Sequence, residues 1–199
     1  MTDAWKKARK HLVKDEYIGP LIRKYGPCEI VKKPENEYFD RLVRAVVGQQ
    51  LSTKAAATIY KRLSEKLGGV TPDKVLKVRK SSLGKCGLSN AKSDYIKDLA
   101  KHVKDGALEI ERLDDFNDDK VMEELVAVKG IGPWTAEMFL MFTLARPDIF
   151  PVDDLGIRNG MKKLLGKELS QEKMVEFAKR WAPYRTYASY YIWELLDNK

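Results

Sequence analysis

The feature that most constrains this chain is its punctuation. Apolar residues recur three and four apart, and each run is bounded by residues that start or stop a helix. Segment 37–47 places Phe39, Leu42, Val43, Val46 and Val47 at helical spacing. Ser52 stands as N-cap to a helix over 53–67, with Gly68-Gly69 as its stop. Thr71-Pro72 opens a short helix, with proline at the first position, where its missing N–H costs nothing. Ser89 caps 90–104, which Gly106 ends. Asp118 or Asp119 opens a helix to about 128, and a helix over 133–145 stops near Pro147. Asp153 or Asp154 starts another, to Leu165-Gly166; Ser170 caps 171–181, and Pro183 starts 184–197. No segment alternates at period two for long enough to be a strand, and no fixed-period repeat or low-complexity linker occurs. The expected fold class is all-α, with the N-terminal stretch packing back onto the C-terminal helices.

Composition removes several classes of function. The longest run without a charged residue is nine, 45–53, too short to span a bilayer, and no apolar run follows the N-terminal charges as in a signal peptide. Cys28 and Cys86 are the only cysteines, too few for a disulfide framework, an all-cysteine zinc site or an iron–sulfur cluster. His11 and His102 are the only histidines, which leaves little material for histidine-based metal catalysis or Ser-His-Asp chemistry. A reducing, intracellular setting is expected, in the cytoplasm and nucleoid of a prokaryote or the nucleus of a eukaryote. The 199 residues carry a net charge of +8, unevenly spread: 41–104 holds 15 basic and 4 acidic side chains, whereas 105–124 holds 2 basic and 9 acidic. A basic stretch beside an acidic one suits a polyanion partner met by one oriented face; a solvated Lys-rich surface is the plainer reading of the same charges.

Two segments carry chemistry. In Val128-Lys129-Gly130-Ile131-Gly132-Pro133-Trp134-Thr135-Ala136, two glycines flank one apolar residue between predicted helices. They allow a tight turn whose backbone approaches a ligand closely. Pro133 then starts a helix whose free N–H groups point back at the turn, an anion site suited to phosphate, with the charge of Lys129 beside it. The second segment is Phe150-Pro151-Val152-Asp153-Asp154-Leu155-Gly156-Ile157-Arg158. One of its adjacent carboxylates can cap the following helix. The other is then unexplained, and a carboxylate in a cleft can stabilise an oxocarbenium-like sugar and orient water.

These residues resemble the helix-hairpin-helix superfamily of DNA glycosylases, and within it the compact branch of the 3-methyladenine DNA glycosylase II group. The resemblance rests on the hairpin at 128–136 and on an Asp about twenty residues after Trp134. Four further stretches support it: Tyr25-Gly26-Pro27-Cys28, Val46-Val47-Gly48-Gln49-Gln50-Leu51-Ser52, Cys86-Gly87-Leu88-Ser89, and Arg180-Trp181-Ala182-Pro183-Tyr184-Arg185 leading to Tyr191-Ile192-Trp193. It covers about residues 17–196. It implies two helical lobes with the active-site cleft between them, a central lobe over about 36–130 and a second lobe from 1–35 plus 131–199.

Carried over position by position, the family pattern makes Asp154 the catalytic carboxylate, with Phe150 setting the frame and Asp153 the flanking candidate. Trp134 stands where strand-cutting relatives carry a catalytic Lys, which implies a monofunctional enzyme that uses water. Gln50, with Leu51 beside it, falls where the family inserts a wedge into the base stack; a polar turn between helices is the ordinary alternative. Trp134, Met138 and Trp193 match base-pocket positions, whereas Trp181 and Tyr184 read as core. Lys129, Gly130, Gly132 and Thr135 match the phosphate-binding hairpin. The carbonyls of Val126, Val128 and Ile131 match those that hold a structural Na+ or K+ in relatives, and no other cofactor is implied. The implied partner is double-stranded DNA containing alkylated bases such as 3-methyladenine and 7-methylguanine, with no membrane partner and a monomeric enzyme. A glycosylase for another lesion (deaminated, etheno or oxidised) and a non-enzymatic hairpin DNA-binding module remain as alternatives. Asp154 together with the pocket aromatics argues against the second, because a scaffold needs neither.

Overall fold

Seven helix starts are made by a side chain that accepts the backbone N–H three residues on: Thr2, Ser52, Thr71, Ser89, Asn117, Asp154 and Ser170. Each satisfies a donor that the first helical turn leaves without a partner. The computed structural model describes residues 2–197, and no strand occurs among them. In chain order the helices are α1 (Asp3–Leu12), α2 (Ile18–Tyr25), α3 (Tyr38–Gly48), α4 (Thr53–Leu67), α5 (Pro72–Lys77), α6 (Lys80–Gly84), α7 (Asn90–Lys104), α8 (Asp118–Val126), α9 (Pro133–Phe142), α10 (Leu155–Leu165), α11 (Gln171–Ala178) and α12 (Arg185–Asp197). The predicted helix over 133–145 ends three residues early. Ala145 adopts a positive φ of 56°, and the Arg146 amide turns back to the Leu140 carbonyl at 2.8 Å. The run expected over 171–181 is α11 followed by a 3-10 turn, Lys179–Trp181.

The chain divides into two compact units, residues 1–32 with 140–199, and 33–139. The later boundary falls inside α9. Ala136 and Phe139 are buried, and Phe139 packs edge-on to Tyr38 with ring centroids 5.5 Å apart.

In the first unit one hydrophobic cluster takes Trp5 and Leu12 from α1 and Ile18 and Ile22 from α2, together with Ile157, Met161, Trp181, Tyr187 and Tyr191 from the C-terminal elements. The Trp5 ring lies 5.8 Å from both Tyr187 and Tyr191, and the Tyr191 hydroxyl donates to the Gly26 carbonyl at 2.6 Å. The N-terminal stretch does pack back onto the C-terminal helices, and Trp181 is core. Helices α10 and α12 are in close contact. Gly160 makes this possible: a Cβ there would come within 2.3 Å of Ile192 Cγ2 and 2.9 Å of the Ile192 carbonyl oxygen. In the second unit α3 packs on α4 and α7, and α7 on α5 and α6. The apolar face read from the sequence (Phe39, Leu42, Val43, Val46, Val47) is buried throughout.

Candidate functional site

The second unit carries the hairpin. It joins α8 to α9 through a turn in which the Ile131 amide donates to the Val128 carbonyl at 3.1 Å. Gly130 is at φ 85°, and a Cβ there would meet the Tyr95 ring at 2.1 Å, so only glycine fits. Gly132 differs: nothing lies within 4 Å of the place a Cβ would take, and that side faces open space. Pro133 begins α9, and the Ala136 amide closes the first turn on the Gly132 carbonyl at 3.1 Å. The amides of Trp134 and Thr135 therefore sit in the helical turn that has no intrahelical acceptor, at the positive end of the helix dipole. Lys129 is exposed beside them, its own amide held by Asp98 at 3.0 Å. Trp134 and Met138 share a face of α9 at i, i+4 spacing; Trp134 is 41% exposed, high for so large an apolar side chain.

The turn at Gly48-Gln49-Gln50-Leu51 lies in the same unit, and the Gln49 side chain ties it to the hairpin. Gln49 Nε2 donates to the Gly130 carbonyl at 2.9 Å and to Thr135 Oγ1 at 3.3 Å. Gln50 and Leu51 are exposed at the tip. Val126, last residue of α8, and Val128 bring carbonyl oxygens to a helix C-terminus, where the dipole is negative.

The first unit carries the carboxylates, and it separates their roles. Asp154 Oδ1 caps α10 by accepting the Ile157 amide at 2.9 Å, and also accepts the indole N–H of Trp193 at 2.9 Å. Trp193 packs in turn against Phe142, with centroids 5.9 Å apart. Gly156 makes room for the pair, because a Cβ there would lie 2.8 Å from both Asp154 Oδ1 and Trp193 Nε1. Asp153 is exposed and accepts a hydrogen bond from Gln171 Nε2 at 2.8 Å. Trp193 is therefore in contact with one of the two candidate carboxylates, Asp154.

Residues 43–183 match the family model described as HhH-GPD superfamily base excision DNA repair protein. The chain belongs to that superfamily. Among HhH-GPD relatives, the alkylbase DNA glycosidase-like protein mag2 of Schizosaccharomyces pombe is 31% identical over 96% of this chain and 93% of its own length. DNA-3-methyladenine glycosylase 1 of the same organism is 36% identical over 87% of this chain and 78% of its own. Among solved structures, S. pombe 3-methyladenine DNA glycosylase (Mag1) in complex with abasic DNA superposes with a TM-score of 0.84 at 33% identity, covering 94% of this chain and 95% of that one. The all-α expectation and the family resemblance both hold for this HhH-GPD chain. Three contributors to its candidate site were given no role in the sequence reading: Gln49 as a strut to the hairpin, Phe142, and Gly156 as the space for the Asp154–Trp193 pair. Only Gly156 left a local trace, a glycine two residues after the carboxylate.

Proposed function

We propose that this chain is a monofunctional DNA glycosylase that turns an alkylated purine out of duplex DNA and hydrolyses its N-glycosidic bond, leaving an abasic site. The observation that carries the reading is the Asp154–Trp193 pair: a carboxylate fixed by a helix cap and an indole N–H, beside aromatic surface. The glycosidic bond of a stacked base is out of reach, so the target nucleotide must leave the helix. Gln50, with Leu51 beside it, fills the gap left behind. The hairpin at Lys129, Gly130, Gly132 and Thr135 takes a backbone phosphate, a contact that positions the DNA without reading its sequence. The extruded base stacks on the indole of Trp193, beside Asp154. An N3- or N7-alkylated purine is cationic, which favours an indole face and makes the base a good leaving group without a protonating acid. Asp154 stabilises positive charge growing on the deoxyribose while water attacks the anomeric carbon. The electrons of the broken C–N bond leave with the base, and the proton lost by the water passes to solvent or to the carboxylate. The Trp134 side chain cannot form the Schiff base that strand cleavage by an amine would need, which supports hydrolysis alone. If a monovalent cation is bound, the carbonyls of Val126, Val128 and Ile131 hold it, and it adds positive charge beside the phosphate contact.

The partner in this reading is double-stranded DNA carrying alkylated bases, engaged by a monomer wherever the DNA is housed. No helix among the described residues is long and apolar enough to cross a membrane. The test is chromatographic identification of free bases released from methylated duplex DNA. Free 3-methyladenine and 7-methylguanine are expected, with release abolished in Asp154→Asn and retained in Asp153→Asn. Release that survives Asp154→Asn and is lost in Asp153→Asn would assign the chemistry to the other carboxylate.

A further inference from the structure

The turn that presents Gln50 is held in an unusual state. Gln49 has φ −51° and ψ 128°, Gln50 has φ 56°, and the Leu51 amide donates to the Gly48 carbonyl at 3.1 Å. These are the marks of a type II turn, whose third position is ordinarily glycine or asparagine because it needs positive φ. Gln50 takes that positive φ although it is neither glycine nor asparagine. In the commoner type I turn the central peptide is flipped over and the third residue returns to negative φ. Something must therefore hold the peptide between Gln49 and Gln50 in its disfavoured orientation.

Lys92, in the first turn of α7, does this. Its ammonium donates to the Gln49 carbonyl at 2.6 Å and to the Val47 carbonyl at 2.8 Å. The Gln49 carbonyl is the oxygen of that central peptide, and flipping it would carry the oxygen away from the ammonium. A cavity of about 210 Å³ behind the turn is lined by Gln49, Gln50, Leu51, Ile59, Leu88 and Lys92. Partial burial pushes the Lys92 pKa below the usual lysine range, and a partly desolvated charge strengthens its remaining hydrogen bonds. The Gln49 side chain adds the second anchor, on Gly130 and Thr135.

We infer that Lys92 is a positioning residue for base extrusion: its ammonium holds the Gln49–Gln50 peptide in the orientation that aims Gln50 into the DNA. The inference rests on the reading of Gln50 as wedge and names what keeps the wedge erect.

The experiment uses the full chain and two readouts. One is single-turnover release of 7-methylguanine from duplex DNA. The other is fluorescence of 2-aminopurine placed across from an abasic-site analogue, which rises when a side chain enters the gap. Lys92→Met keeps the aliphatic stem and removes the ammonium. It is expected to reduce the fluorescence rise and to slow release about tenfold, the loss of the charge-assisted hydrogen bond to the Gln49 carbonyl expressed in rate. Affinity for undamaged duplex, which reports the hairpin, should stay the same. Asparagine accepts positive φ more readily than glutamine, so Lys92→Met should cost less in a Gln50→Asn background. Should Lys92→Met fail to fold, Lys92→Arg, which keeps the charge on a planar fork, is expected to give the same pattern in milder form. Wild-type behaviour of the Lys92 variant overturns the inference. So does an equal cost in the Gln50→Asn background, or a parallel loss of affinity for undamaged DNA, since either marks a purely structural role. Gln50→Ala separates the two claims. If it leaves the fluorescence rise intact, the wedge reading itself fails; if it removes the rise while Lys92→Met does not, only the inference about Lys92 fails.

Discussion

Replacing Trp193 by Phe removes one thing above all, the indole N–H that Asp154 Oδ1 accepts at 2.9 Å. The ring remains aromatic and keeps much of its packing on Phe142, 5.9 Å away. A hydrogen bond to a charged acceptor contributes about 1.5–3 kcal/mol. If the bond is needed to aim the carboxylate in the transition state, that range corresponds to about 10- to 150-fold in rate. Both side chains are half-buried, which lets water compete and places the expectation at the lower end, about tenfold in single-turnover release of 7-methylguanine. The α10 cap should survive, because the Ile157 amide still donates to the same oxygen, so the thermal midpoint should move little. Trp193→Leu removes the N–H and the ring quadrupole together. It should cost a further about 0.5–2 kcal/mol for a cationic lesion and lower the ratio of 3-methyladenine to hypoxanthine excision. A wild-type rate in Trp193→Phe would refute the claim that the indole orients Asp154. An unchanged substrate ratio in Trp193→Leu, with both rates falling equally, would make Trp193 a packing residue and nothing more.

The two hairpin glycines should respond oppositely to alanine. Gly132→Ala meets open space and should fold normally while weakening DNA binding, seen as a higher dissociation constant at physiological salt; unchanged affinity would remove the phosphate contact from this turn. Gly130→Ala drives a methyl group into Tyr95 at positive φ and should lower the thermal midpoint even without DNA. A third expectation concerns alkaline pH. Burial pushes Cys28 from the ordinary 9.0 to about 12, and Tyr60 and Tyr190 from 10.0 to about 12. These groups keep their protons in the folded state at pH values where the unfolded chain has lost them. Their contribution is thus full below about pH 9 and lost progressively from there to about 12. Denaturant midpoints should fall across that window, and Cys28 should resist alkylation until the chain unfolds; a flat profile from pH 9 to 12 would contradict the assignment.

Helix starts were legible because the capping chemistry is local. Ser52, Ser89 and Ser170 each cap the helix that the sequence places after them. Three helices were not read. Helix α2 carries Gly19 and Pro20 in its first turn, a pair that ordinarily signals a loop, but proline is tolerated there because first-turn amides have no intrahelical acceptor. Helix α6 has only five residues, too few to show a period. Helix α1 does place Trp5, Ala8 and Leu12 on one face, but among so many lysines that the stripe is thin. The hairpin was visible as a string of residues because its geometry is local. The Asp154–Trp193 bond joins residues 39 apart in sequence and the Lys92–Gln49 bond residues 43 apart. No periodicity or spacing rule reaches that far, and only the family pattern singled out Asp154 over Asp153.

The glycines of α10 bear on how this protein should behave when heated. Gly156 and Gly160 stand four apart, one beneath the Asp154–Trp193 pair and the other against Ile192, so Asp154, at the N-cap of α10, is held by a helix-to-helix contact as well as by the turn that precedes it. A loop can melt by itself; this contact cannot loosen without opening the hydrophobic cluster of its unit. Catalysis should therefore have no warm, folded but inactive regime. Its rate should climb smoothly with temperature and then collapse together with the near-ultraviolet dichroism of the packed tryptophans and tyrosines.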